Sequence, residues 1–132
     1  MANKKLDQLV TQLEYFLECW KQLNYYLSLA RSKKFTEEEE SQFLETKALV
    51  VQELELISSA MECTSPSRED VHGFIAAAPS LHSLQDNEAA LRKLENQWHV
   101  IYVGFQAILG QIKVQQREQE GQNFLTSMFR KK

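Results

Sequence analysis

The side chains with the most chemical potential here are three histidines, two cysteines and a run of four glutamates. Glu69-Asp70-Val71-His72 has the Glu-x-x-His spacing that sets a carboxylate and an imidazole one turn apart on a helix. That is the half-site of a di-metal carboxylate centre, which needs a second such pair and two further inward glutamates. No second pair exists, and Glu95 and His99 stand four apart. The spacing therefore predicts no metal, and His72 reads as a half-exposed residue on the first turn of a short helix. A phosphotransfer histidine needs Lys and Gly in the following turn. His99 is followed there by Tyr102 and Val103, and His72 and His82 fit no better. The glycines are isolated, so no phosphate-cradling loop is present.

Cys19 and Cys63 are too few and too far apart for a disulfide framework or a zinc site. Cys19 flanks an apolar stripe and reads as packing, and two buried thiols suit a reducing compartment. Glu37 to Glu40 splay around a helix and do not converge on a cation. Trp20, Trp98 and the phenylalanines at helical spacing read as core, not as a cofactor box. The expectation is a chain with no catalytic residue, no cofactor and no metal, and so not an enzyme.

What must position these residues is a set of helices. The 132 residues suit one domain, and 43% apolar with 25% charged is an ordinary globular balance. Four glycines and two prolines are too few for a turn-rich β fold. With a net charge of -3 and basic residues interleaved with acidic ones, no extended positive stripe for nucleic acid exists. Residues 1–8 lack a signal-like apolar stretch, and no run reaches bilayer length. A cytoplasmic location is expected, without integral membrane association.

From about Asn3 to about Arg31, Leu6, Leu13, Trp20 and Leu27 recur every seven residues, as do Leu9, Phe16, Leu23 and Ala30. Val10 and Leu17 widen this stripe, which suits a partner helix at a shallow crossing angle. Ser32 to Thr36 makes a short connection, and Thr36 with Glu39 fits a capping box, so the next helix is an antiparallel neighbour. Its stripe is Phe43, Val50, Leu54, Ile57 and Met61, with Leu44 and Val51 beside it, ending near Glu62 before Thr64-Ser65-Pro66. Lys47 falls on the stripe and is expected to snorkel to water. Ser67 caps a short helix with Val71, Phe74, Ile75 and Ala78 inward, stopped by Pro79. Ser80 to Leu84 adds a turn. Asp86 or Asn87 caps a last long helix from about Glu88 that frays at Gly121. Val100 to Phe105 also suits a strand, but nothing is available to pair with it.

The predicted fold is all-α, an antiparallel bundle of three long helices and one short one. Either it runs up-down-up-down or it is a three-helix core with a helical cap. Residues 1–122 form the bundle domain and 123–132 a tail.

Two features remain for function. The last helix carries a bulky stripe (Trp98, Ile101, Tyr102, Phe105, Ile108, Leu109, Ile112) and, about half a turn away, a small one: Val100, Val103, Ala107, Gly110 and Val114. A surface helix needs one apolar face. The second face implies either a central position in the bundle or a second chain. The tail sets Phe124, Leu125, Met128 and Phe129 on one turn ahead of Arg130-Lys131-Lys132. It folds back on its own bundle, docks on another molecule, or makes a weak contact with an anionic membrane surface. These nine apolar or small residues are the expected partner-binding set. The functional expectation is a protein–protein interaction module, self-associating through the small face as a homo-oligomer or binding another protein. A secretion-type or adaptor chaperone holding a partner's amphipathic helix is the alternative, and a metal-dependent bundle enzyme the third.

Overall fold

The structure is a computed structural model that describes residues 4–58 and 67–130, with side chains through Gln119. Five helices follow in order: α1 Lys4–Ser32, α2 Glu37–Ile57, α3 Arg68–Ala77, α4 Leu81–Leu84 and α5 Glu88–Arg130. No strand occurs among the described residues. The predicted end of the second helix near Glu62, its stop at Thr64-Ser65-Pro66, Met61 and Cys63 lie outside the described residues.

The heptad stripe of α1 is buried from Val10 to Ala30, with Leu6 and Leu9 half-buried. Cys19 and Tyr26 join it because α2 covers a second side of α1. Tyr26 donates its hydroxyl to Gln42 Oε1 at 3.4 Å and sets its ring edge against Phe43. The α1–α2 turn is a Schellman closure. Lys34 N–H donates to Leu29 O (3.3 Å) and Lys33 N–H to Ala30 O (3.1 Å), which requires Lys33 at φ 60°. The capping box of α2 is present, with Glu39 N–H donating to Thr36 Oγ1 (3.1 Å) and Thr36 N–H to Glu39 Oε1 (2.8 Å).

Pairs between α1 and α5 fix their direction. Arg31 meets Glu88 and Glu95, Trp20 meets Trp98, Phe16 meets Phe105, Glu14 meets Lys113 and Asp7 meets Gln116. Numbers fall along one helix as they rise along the other, so the two are antiparallel. At the middle, Trp20 Nε1–H donates to Trp98 O (3.2 Å) and Trp98 Nε1–H donates to Trp20 O (2.7 Å). Phe105 and Phe74 complete an aromatic column around Phe16 and Trp20, with centroids 4.7 and 4.8 Å away.

The third position is shared by α3 and α4, which climb antiparallel to α2. Arg68 pairs with Glu55, Lys47 reaches Ala78, Glu40 reaches Leu81 and His82 meets Glu37. The bundle is thus up-down-up-down, with its third strut broken at Pro79. Ala78 leaves helical geometry (φ -118°, ψ 70°), as a residue before proline should. Ser67, Ser80 and Asn87 cap α3, α4 and α5 by accepting from Asp70, Ser83 and Ala90 N–H.

Three expectations are corrected. Lys47 does not simply snorkel: half-buried, its ammonium donates to Ala78 O (2.6 Å) and Pro79 O (3.3 Å), the open carbonyl end of α3. Burial holds its pKa below the usual lysine value, opposed by Glu40. The last helix does not fray at Gly121 but continues to Arg130. The central helix is α1, packed on both α2 and α5, while α3 and α4 close the gap between those two.

Candidate functional site

The core takes one side of α5 and leaves the other open. Leu91, Leu94, Ile101, Phe105, Ile108, Leu109 and Ile112 are buried, while Trp98 and Tyr102 are half-buried and stacked 4.9 Å apart. Half a turn round, Val100, Val103 and Val114 are 68%, 50% and 54% exposed, and Ala107 and Gly110 are exposed between them. A Cβ placed on Gly110 would meet nothing within 4 Å. All five small-face residues predicted from spacing therefore share one uncovered surface. No other described part of the chain lies over it, which removes the reading of α5 as the central helix.

This face has an intrinsic cost. Three exposed valines and one glycine disfavour a helix by about 2–3 kcal/mol relative to alanine, and no packing within the chain offsets that. Other exposed apolar residues, Tyr15 and Tyr25 on α1 and Leu44 and Leu56 on α2, stand more than two turns apart along their helices. Single apolar residues of that kind are normal on a surface.

At its amino-terminal end the small face opens into a groove of about 410 Å³ between α3 and α5. Gly73, Val100 and Ile101 contribute the apolar part, Asn96 and Gln97 the polar wall, and Glu69 and Asp70 the carboxylates. Gly73 sits in mid-helix with open space where its Cβ would be. Gln97 Oε1 is buried without a hydrogen-bond partner. One carboxylate oxygen of Asp70 is occupied by Ser67 N–H at 2.8 Å, while Glu69 is exposed. Spacing alone had singled out Glu69 for a metal test with His72. The actual signal of the groove was Gly73, which interrupts an otherwise regular helical stripe.

Phe124, Leu125, Met128 and Phe129 have side chains outside the described residues. The helix that carries them is continuous with the small face.

The remaining chemical candidates have structural occupations. Glu37 meets His82 Nε2 at 2.9 Å, Glu39 caps α2, and buried Glu40 accepts from Leu81 N–H at 2.9 Å. Cys19 is buried, and that burial pushes its thiol pKa up. Among the described residues, no group of three or more His, Cys, Asp or Glu is disposed to hold a metal ion, and no helix is long and apolar enough to cross a membrane. No protein-family model, curated protein or solved structure matches the chain.

Proposed function

We propose that the chain is a non-enzymatic cytoplasmic interaction module that self-associates through the small-residue face of α5. One observation carries the reading: Val100, Val103, Ala107, Gly110 and Val114 form a continuous uncovered stripe that nothing in the described chain uses. Small residues let two helix backbones approach closely, and covering the valines removes apolar surface from water at about 25 cal/mol per Å². A second copy supplies an identical stripe, as two-fold interfaces require.

Light scattering on the eluting full-length protein tests this. The expected result is a dimer for the natural chain and a monomer for Val103→Glu, with unchanged helicity. A monomeric natural chain, or a dimer untouched by Val103→Glu, overturns the proposal.

A further inference from the structure

We infer that Arg117 of a second copy of this chain seats in the groove between α3 and α5, with the two α5 helices antiparallel. This rests on the self-association proposed above and adds its direction, its register and the group that fills the groove.

The first argument is the unmet chemistry of the groove. Two carboxylates, Glu69 and Asp70, stand on the first turn of α3 and line it together with Gln97, whose buried Oε1 has no partner. Among the described residues Glu69 pairs with no cation, and Arg68 beside it is turned to Glu55. Asp70 commits one oxygen to Ser67 N–H. Acceptors therefore dominate a site whose apolar wall is Val100 and Ile101. A guanidinium answers that demand, with five donors, a permanent charge and a weakly hydrated planar head. Its aliphatic stem lies along Val100 while the head reaches the carboxylates.

The second argument is register. The exposed positions 100, 103, 107, 110 and 114 alternate steps of three and four, and the next position of that series is Arg117. Arg117 is exposed, and among the described residues it pairs with no carboxylate. It lies about 26 Å along the helix from its own Val100, too far to fill its own groove. In an antiparallel pair, setting Ala107 against the partner's Gly110 puts the smallest residues at the two-fold axis, where the backbones come closest. Val103 then faces the partner's Val114, and Val100 faces the partner's Arg117. The guanidinium thus arrives at a residue that lines the groove, and the symmetry fills both grooves at once. Shifting the register by one heptad sets the partner's Arg117 against Lys93, a like charge that costs affinity. The opposite shift sets it against Ala107, two turns short of the groove. Parallel pairing would set Arg117 against Arg117 and leave both grooves empty.

Sedimentation equilibrium of full-length variants tests the seat. Arg117→Glu and Glu69→Arg should each raise the dimer Kd at least about tenfold, because each breaks both symmetric contacts and brings like charges together. Mixed in equal amounts, the two variants should form a heterodimer with a Kd within about threefold of the natural value. One contact in that heterodimer is natural, and the other is the same pair reversed. Recovery on mixing separates a broken contact from misfolding. A dimer lost with Val103→Glu but indifferent to both reversals overturns the groove seat and leaves self-association standing. A dimer lost with Glu69→Arg that mixing does not restore gives the groove to another cation and overturns the seat as well. A monomeric natural chain overturns both readings and leaves the groove to a partner of another sequence.

Discussion

Glu40 offers a sharp test of how the broken third strut is held. It is 8% exposed, and its Oε2 accepts the Leu81 N–H at 2.9 Å, one of the amides that a helix start leaves without an internal partner. Leu81 is itself fully buried. Glu40→Ala removes the acceptor and leaves that donor unsatisfied, which costs about 1–3 kcal/mol. Taking about 2 kcal/mol and about 2.1 cal/mol/K of unfolding entropy per residue, the melting temperature falls by about 7 °C. Glu40→Gln keeps an acceptor and loses only the charge, so its cost should stay below about 1 kcal/mol. Lys47→Met keeps the stem packed near Phe43 but abandons the Ala78 and Pro79 carbonyls. Because both residues hold the same corner, the double variant Glu40→Ala, Lys47→Met should differ from the sum of the singles by at least about 0.5 kcal/mol. Urea unfolding followed by tryptophan fluorescence reads these differences with an unchanged denaturant slope. If Glu40→Gln costs as much as Glu40→Ala, or if Glu40→Ala costs under about 0.5 kcal/mol, the hydrogen bond is not what holds the corner.

Lys33→Gly should stabilise the fold by about 0.5–1 kcal/mol, because φ 60° is strained for a side chain and free for glycine; chemical denaturation checks it. Gly110→Ala should raise the stability of the dilute monomer by about 1 kcal/mol, since its Cβ enters open space, yet weaken the proposed dimer by holding two backbones apart. Unfolding at low concentration and sedimentation read those opposite signs. Cys19, buried with a raised thiol pKa, should alkylate at least about tenfold more slowly in the native protein than in urea, as read by site-resolved mass spectrometry.

Much of the architecture was legible because periodicity and caps are local properties. The heptads of α1, the Thr36–Glu39 box, the Ser67 cap and the break at Pro79 each follow from spacing over a few residues. The centrality of α1 was less visible. Its stripe is only modestly wider than that of α2, and Tyr26 and Cys19 become core only once α2 lies beside them. The carbonyl partners of Lys47 were not legible, because only the position of the Pro79 corner brings the Ala78 and Pro79 carbonyls within its reach. The small face was readable from the helical wheel, but its exposure depends on where α3 lies. The Gly73 groove needed two helices at once.

The crossed tryptophans have a mechanical consequence for everything built on α5. Each indole N–H reaches a backbone carbonyl of the opposite helix, so the two bonds act as a pair of pegs. Sliding α5 by one residue, about 1.5 Å, or rolling it by about 100° would break both together. The outward stripe is therefore held at one azimuth and one height, and it has no way to hide by turning inward. Under the proposed self-association a partner would meet a rigid rail whose phase is set from within, so the entropy of aligning that surface would already be spent on folding before any encounter.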